Sequence, residues 1–258
     1  MGTGTTVEAR SIGAPAVEHN GTRPDGPHAP EGNRLLRSLA PESYARLLPL
    51  MEPVYLPAKY VLWEPEAAVE AVYFPRTCVL SIVVPLDGEK PVEAATVGCE
   101  GLAGVSVALG GESSSTRAFC QIPGDAMRVE AGAFRSALAA DPALQRLTLR
   151  YAQALFEQAA RAAACNARHE VQERCARWIL MTYDRVAANP IPLTHEFLSI
   201  MLGVRRASVT VAVGALAQAG LVRGSRARIY VLDRAGLEAA SCECYTVVAR
   251  RYDRLLSG

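Results

Sequence analysis

Arginines cluster in one stretch near the carboxyl end of the chain. Residues 193–234 hold six arginines, including the adjacent pair Arg205 and Arg206, against only Glu196 and Asp233. The guanidinium group is a planar fork of donors that fits phosphate oxygens and the edge of guanine in pairs. This clustering predicts contact with nucleic acid, although a solvated charged face is the plainer interpretation of any run of charge.

Two short helices joined by a tight turn are predicted to position these arginines. In the first helix, Phe197, Leu198 and Met201 form one apolar face, and Thr194 can cap the N-terminus through its hydroxyl oxygen. Gly203 lies where the chain must turn into the second helix. The pattern therefore indicates a helix-turn-helix.

The second helix, predicted over residues 207–219, is followed by a small hairpin. Its apolar residues repeat at helical spacing, and Gly220 ends it because glycine enters the left-handed region without steric cost. Two apolar strands then flank the polar tip at residues 223–228. A helix-turn-helix with such a wing places its second helix in the major groove of DNA.

Charge is distributed unevenly along the chain. Residues 1–140 carry 11 basic and 16 acidic side chains, for a net charge of −5, whereas residues 141–258 carry 16 and 10, for +6. All sixteen basic residues of the second half are arginine. The second half is thus suited to a polyanionic partner.

The remaining composition limits the compartment and the class. Residues 1–32 are rich in Gly, Pro, Thr and Ala, and they are predicted to be a disordered tail rather than a secretory signal. No run approaches the roughly 20 apolar residues that span a bilayer. The seven scattered cysteines lack a CxxC pair, which favours reduced thiols in a cytoplasmic protein.

The expected fold class is α+β. Residues 33–140 begin with a helical lead-in at 33–51 and continue as short strands separated by turn formers, which predicts a β jelly roll. A long helix is expected over 141–168, and a winged helix-turn-helix domain with a C-terminal helix over 169–258. The strand candidates are 60–63, 71–74, 79–85, 92–97, 117–121 and 126–130.

The long helix has two interpretations. Its apolar seam resembles one to two heptads of a coiled coil, which would join two copies of the chain. The same seam fits an ordinary helix that packs on its own core. The seam consists of Leu144, Leu147, Tyr151 and Ala154.

The stretch LTHEFLSIMLGVRRASVTVAVGALAQAGLVRGSRARIYVLD resembles the helix-turn-helix signature of the Crp/Fnr superfamily of bacterial transcription regulators. The resemblance covers about residues 34–235. The residues in register with the signature are Gly203, Arg206, Ser208, Val209, Leu216, Gly220 and Leu221.

This chain departs from the family signature at three positions. Ala207 stands where the family usually has Glu or Gln, Val211 replaces a second recognition arginine, and Arg205 replaces a small polar residue. We therefore expect a base sequence different from the one read by the best-known members.

The resemblance implies a homodimer joined along residues 141–164 that reads a pseudo-palindrome in double-stranded DNA. The two recognition helices would enter successive major grooves, roughly 34–36 Å apart. RNA polymerase is a further candidate partner, the small-molecule effector is left unidentified, and no membrane partner is expected. The expected base contacts are Arg205, Arg206, Ser208 and Thr210, and the expected phosphate contacts are Thr194, Arg223, Arg226 and Arg228.

The effector site is the least defined part. Relatives that bind cyclic nucleotides use a ribose-binding Glu and a phosphate-binding Arg, but Val105 takes the Glu position here, and the nearby arginine, Arg117, is displaced. Glu100 and Arg117 remain candidate effector residues, with strand flanking as the plainer role of Arg117. No cysteine precedes Cys78, so the iron–sulfur cluster of the oxygen-sensing branch is not expected, and no cofactor is predicted.

Cys242 and Cys244 form the one unusual cysteine pair. On a continuous helix their side chains point about 200° apart, so they cannot hold one ion unless the helix breaks. No metal site is therefore expected, and small semi-buried thiols are the plainer interpretation. A redox or metal-responsive role is the alternative.

A second class of function stays open, in which a ligand-binding jelly roll uses its winged helix for protein contacts. Catalysis is not expected. The sequence lacks paired carboxylates at useful spacing, a GxSxG motif, a P-loop and the histidines of a cupin metal centre.

Overall fold

The computed structural model describes residues 32–87, 89–186 and 189–256 of the chain. The predicted tail at 1–32 lies outside the described residues, apart from Gly32.

The N-terminal half is built mainly of short strands, as predicted. Helices α1 (Arg34–Arg37) and α2 (Pro41–Leu47) and a 3-10 turn (Leu48–Leu50) form the helical lead-in. Two further helices, α3 (Val105–Ala108) and α4 (Ala131–Ala140), were not expected. The strands are β1 (Glu52–Leu56), β2 (Val61–Trp63), β3 (Ala71–Pro75), β4 (Val79–Leu86), β5 (Glu89–Val97), β6 (Arg117–Ile122) and β7 (Gly124–Glu130).

These strands form two antiparallel sheets, in the orders β1-β7-β3 and β2-β6-β4-β5. We call them together the β-roll. The largest side chains of its core, including Phe74, Leu80, Met127 and Phe134, are almost fully buried. The expected jelly-roll architecture is confirmed. Strand β1 was not predicted, because most of its residues face solvent and Pro53 interrupts the alternation of apolar and polar residues.

The long helix α5 (Pro142–Arg168) begins at Asp141, whose carboxylate accepts the N–H groups of Ala143 and Leu144 at 3.0 and 3.2 Å. The same carboxylate pairs with Arg46 at 2.6 Å. A capping carboxylate at a helix N-terminus satisfies unpaired donors and favours the macrodipole. Asp141 thus fixes where α5 starts.

The predicted coiled-coil seam of α5 faces the β-roll of its own chain. Leu144, Tyr151 and Ala154 are 3, 0 and 1% exposed. Residue 101 is glycine where the Tyr151 ring packs, since a Cβ there would overlap the ring. The coiled-coil interpretation of this seam is therefore wrong, because periodicity shows that a face is buried but not what covers it. Leu149 and Phe156 are 43 and 72% exposed instead.

The C-terminal half contains the predicted helix-turn-helix and wing. Helix α6 (Val171–Val186) and strand β8 (Ile191–Pro192) lead into it. It consists of α7 (His195–Leu202), α8 (Arg206–Gln218), β9 (Val222–Ser225) and β10 (Arg228–Val231), which we call together the winged helix. Helices α9 (Arg234–Ala239) and α10 (Cys244–Leu256) follow.

The segment after the wing is helical, as its spacing predicts, but it is broken at residues 240–243. The break lets α10 turn back onto α5, where the rings of Tyr252 and Tyr151 lie 6.2 Å apart. Val248 and Leu255 join the core of the β-roll. The C-terminal helix therefore ties the end of the chain to the N-terminal half.

The β-roll and the winged helix share an apolar interface. Val83 of β4 belongs to the same buried cluster as Trp178 of α6 and Leu198 of α7. The rings of Phe119 and Phe197 meet edge to face at 6.4 Å. Among the described residues, no single helix has both the length and the apolar character to cross a membrane.

Candidate nucleic-acid interface

The turn of the helix-turn-helix is set by Gly203. This residue lies in the left-handed region at φ 61° and ψ 39°, and its N–H donates to Ile200 O at 3.1 Å. Helices α7 and α8 are bent by 109° at this point. That angle lies within the range of DNA-binding helix-turn-helix motifs.

Helix α8 buries one face and presents the other to solvent. Val209, Val213 and Leu216 are at most 3% exposed, whereas Val211 is 73% exposed. The buried face packs on α6 and α7. This packing fixes the direction in which the outer face and the N-terminus of α8 point. This is the arrangement a groove-reading helix needs.

Arg205 and Arg206 lie at the exposed head of α8. Among the described residues, neither guanidinium is within ion-pair distance of a carboxylate. The unpaired N–H groups of the first helical turn add partial positive charge at the same end. The two arginines are thus available to an anionic partner.

Two further predicted base contacts lie on the same helix. Thr210 is exposed, and its hydroxyl donates to Arg206 O at 3.1 Å and lies 3.2 Å from Nδ1 of His195. Ser208 is half-buried. The structure therefore brings the four predicted base contacts together on one helix.

The predicted phosphate contacts lie mainly on the wing. Arg223, Arg226 and Arg228 are exposed, and the Arg223 guanidinium stacks over the Tyr230 ring at 4.6 Å. The wing turns at Ala227, which has a φ of 55°. Thr194 caps α7 as predicted, accepting the N–H of Phe197 at 3.0 Å.

The two candidate effector residues both have partners within the chain. Glu100 is buried, and its carboxylate lies 2.8 Å from the Arg185 guanidinium. Arg117 pairs with Glu64 at 3.1 Å and lies over the Phe119 ring. No contact joins Glu100 to Arg117 in the part of the chain that is described. The strand-flanking role of Arg117 agrees with its contacts.

The expectation of no metal site rested on a continuous helix through Cys242 and Cys244, and that premise is wrong. Helix α9 ends at Ala239 and α10 begins at Cys244, so the two thiols turn toward Cys165 and His169 at the end of α5. The ligand atoms of these four residues all lie within 4.8 Å of one another. Sequence reasoning missed the group, although Cys165 and His169, four apart near a helix end, were a detectable signal.

Comparison with known proteins agrees with this architecture. Residues 173–240 match the model of the Crp-like helix-turn-helix domain. FixK2 from Bradyrhizobium japonicum has a similar fold, with a TM-score of 0.65 at 17% identity over 74% of this chain and 98% of FixK2. No curated protein matches the chain.

Two other solved structures share the fold. A CRP-family transcriptional regulator from Thermus thermophilus has a TM-score of 0.61 at 21% identity, over 74% of this chain and 96% of its own. A Crp/Fnr-family regulator from Eubacterium rectale has a TM-score of 0.60 at 15% identity, over 80 and 96%.

Fold and motif together define a protein that joins a β-roll to a winged helix, as in the solved structures above. The resemblance to the Crp/Fnr superfamily is confirmed: the chain carries a Crp-like helix-turn-helix domain within a Crp/Fnr fold.

Proposed function

We propose that this chain is a sequence-specific DNA-binding transcription regulator that acts as a homodimer on a pseudo-palindromic operator in the cytoplasm. The observation that carries the proposal is the exposed, arginine-bearing head of α8, held at 109° to α7. A helix in this arrangement fits the major groove, where arginine binds guanine through two parallel hydrogen bonds.

The proposed DNA contacts fall into two groups, those to bases and those to phosphates. Arg205, Arg206, Ser208 and Thr210 lie on α8 and would face base edges, whereas Thr194 and the wing arginines would hold phosphates. Val211, with 73% of its surface exposed, adds an apolar contact suited to the methyl group of thymine. The small side chain of Ala207 leaves room for the backbone of α8 to approach the groove.

The outward face of α5 supports the dimer. Leu149 and Phe156 lie seven residues apart on the side that the β-roll leaves open. Exposed apolar residues repeating at this spacing mark a helix that pairs with a second helix. A second copy of the chain would bury both side chains along the face opposite the predicted seam.

Selection of bound duplexes from random DNA tests the proposal. We expect an enriched pseudo-palindrome whose half-sites are one helical turn apart, bound with a steep dependence on salt. Recovery of unenriched sequence with no salt dependence would favour the alternative, in which the winged helix contacts a protein.

A further inference from the structure

Helices α5 and α6 meet at residues 169–170, which we call the hinge, and a cluster of three cysteines and one histidine lies there. Cys165 belongs to the last turns of α5, and His169 caps that helix. Cys242 lies in the break between α9 and α10, and Cys244 is the first residue of α10. The three cysteines are at most 4% exposed and form a buried cluster separate from both apolar cores.

Two of the distances between ligand atoms in this cluster match a tetrahedral metal site, and all of them are within 4.8 Å. The sulfurs of Cys165 and Cys242 lie 3.5 Å apart, and the Cys244 sulfur lies 3.6 Å from Nδ1 of His169. Ordinary zinc bond lengths in a tetrahedron place two sulfurs about 3.8 Å apart, and a sulfur and a nitrogen about 3.6 Å apart. The four groups therefore need little movement to share one ion.

The surroundings of the cluster also fit a metal. Nε2 of His169 lies 3.2 Å from the Glu243 carboxylate, which leaves Nδ1 directed at the sulfurs. A carboxylate behind the histidine is the usual outer partner of a ligating imidazole. Three thiolates and one divalent ion leave a net negative charge, and the buried arginines Arg174 and Arg177 of α6 lie beside the thiols to offset it.

We propose that Cys165, His169, Cys242 and Cys244 bind one zinc-class divalent cation. Thiolate and imidazole ligands in a tetrahedral set select Zn²⁺ over hard cations such as Mg²⁺ or Ca²⁺. The site joins the end of α5 to the segment that follows the winged helix, and all four ligands lie outside the Crp-like domain match at residues 173–240, two before it and two after it.

The position of the site gives it a regulatory consequence, which rests on the proposed DNA-binding function. Arg174, beside the cluster, donates to the carbonyl oxygen of Leu202 at the end of α7. A bound ion would hold the hinge rigid and would keep the thiolates beside Arg174 in place. Through the contact of Arg174 with Leu202, it would also hold the helix-turn-helix in one position relative to α5. Zinc would therefore change the affinity for DNA.

The binding test uses the full chain, reduced and freed of metal by a chelator. Titration with Co²⁺ is expected to give one ion per chain. The bound ion should show the intense visible bands of tetrahedral cobalt and a thiolate-to-cobalt charge-transfer band. Both sets of bands should disappear when Zn²⁺ displaces the Co²⁺. C242S and C244S should each weaken Zn²⁺ binding by more than about 100-fold, and E243Q, at an exposed outer partner, by about 10-fold.

The matched control is C99S, since Cys99 is a half-buried thiol outside the cluster. It should bind as the native chain does, and circular dichroism confirms the fold of each variant. Three results would overturn the site. The first is absence of the tetrahedral cobalt spectrum, and the second is Zn²⁺ binding by C244S or E243Q that equals that of the native chain. The third is a Cys165–Cys242 disulfide that forms in a chain unable to bind Co²⁺.

The regulatory arm is separate. Adding Zn²⁺ should change the affinity for the selected duplex at least about 5-fold in the native chain and not in C242S. A zinc-loaded chain with unchanged DNA affinity would overturn the hinge role alone. A chain that binds Zn²⁺ and no DNA would refute the proposed function and leave the site standing.

Discussion

The carboxylate of Glu100, just after strand β5 of the β-roll, lies 2.8 Å from the guanidinium of Arg185 on α6. Arg185 also donates to the side-chain oxygen of Gln158 on α5 at 3.3 Å. Burial lowers the pKa of Arg185 and the Glu100 carboxylate raises it, with a net upward shift. One ion pair thus connects the β-roll, the long helix and the helix that leads into the winged helix.

Removing one member of this pair should be costly. E100Q keeps the shape but leaves a buried guanidinium without its counter-charge, and we expect the free energy of unfolding to fall by about 3–5 kcal/mol. Urea unfolding of the full chain measures it. E64Q is the control, because the exposed Glu64–Arg117 pair contributes only about 0–1 kcal/mol. Equal stability of E100Q and the native chain would contradict the role of the pair.

Arg206 and Arg226 should differ in kind as DNA contacts. R206A is expected to weaken binding to the selected duplex by about 1–3 kcal/mol and to relax specificity at one base position. R226A, on the wing, should weaken selected and random duplexes alike and reduce the salt slope by about one unit. Fluorescence anisotropy on both duplexes separates the two. Equal losses on both duplexes for R206A would exclude a base contact.

Glu93 makes the interface between the β-roll and α6 sensitive to pH. Burial raises its pKa from 4.5 to about 7, against hydrogen bonds from Trp178 and Ser81 and the charges of Arg177 and Arg185. The Trp178 indole N–H donates to the carboxylate at 2.8 Å. Folding therefore favours the protonated form.

The sign of the pH effect follows from that shift. Between pH 4.5 and 7 the unfolded chain releases the Glu93 proton and the folded chain retains it, so this residue's contribution to stability falls as the pH rises and levels off above about 7. Unfolding monitored by tryptophan fluorescence at several pH values measures the slope. In E93Q, the fall in stability between pH 4.5 and 7 should disappear. An unchanged pH profile in E93Q would show that Glu93 is not the cause of this fall.

The outward face of α5 should decide the oligomeric state. F156E places a charge within the proposed dimer contact, so we expect sedimentation to shift from dimer to monomer. L109E is the matched control, since Leu109 is 61% exposed at the end of α3 and outside this face. A dimeric F156E, or a native chain that is monomeric at micromolar concentration, would contradict the interface.

Removing the metal should loosen the hinge. In the zinc-loaded chain, we expect slow hydrogen exchange at residues 165–171 and 240–246, and faster exchange in the same segments after chelation. The N-cap of α5 at Asp141 is the internal reference, because its contacts do not involve the cluster. Exchange that is unchanged by chelation at both segments would show that the ion does not hold them together.

The winged helix could be predicted from sequence because its signals are local. Thr194 caps the helix that it precedes, Gly203 has the left-handed conformation that the turn requires, and Gly220 does the same at the end of α8. Each of these depends on neighbours within one or two turns. Local chemistry of this kind is readable without knowledge of the rest of the chain.

Contacts between distant segments could not be predicted in the same way. The pairing of Glu100 with Arg185 spans 85 residues, and that of Cys165 with Cys242 spans 77. Tyr151 gave a correct signal of burial but no information about its partner, which proved to be the β-roll and not a second copy. A pattern along one helix identifies a buried face, and only the folded chain shows what covers it.

The most direct test of the account is the ratio of affinities for the selected duplex and a scrambled duplex, measured by anisotropy across a salt gradient. We predict a ratio of at least about 10³ for the native chain, with log affinity falling linearly with log salt concentration, and a much smaller ratio when Arg205 and Arg206 are both replaced by alanine. A native ratio near one, or a double variant that discriminates as well as the native chain, would contradict the claim that the head of α8 reads DNA.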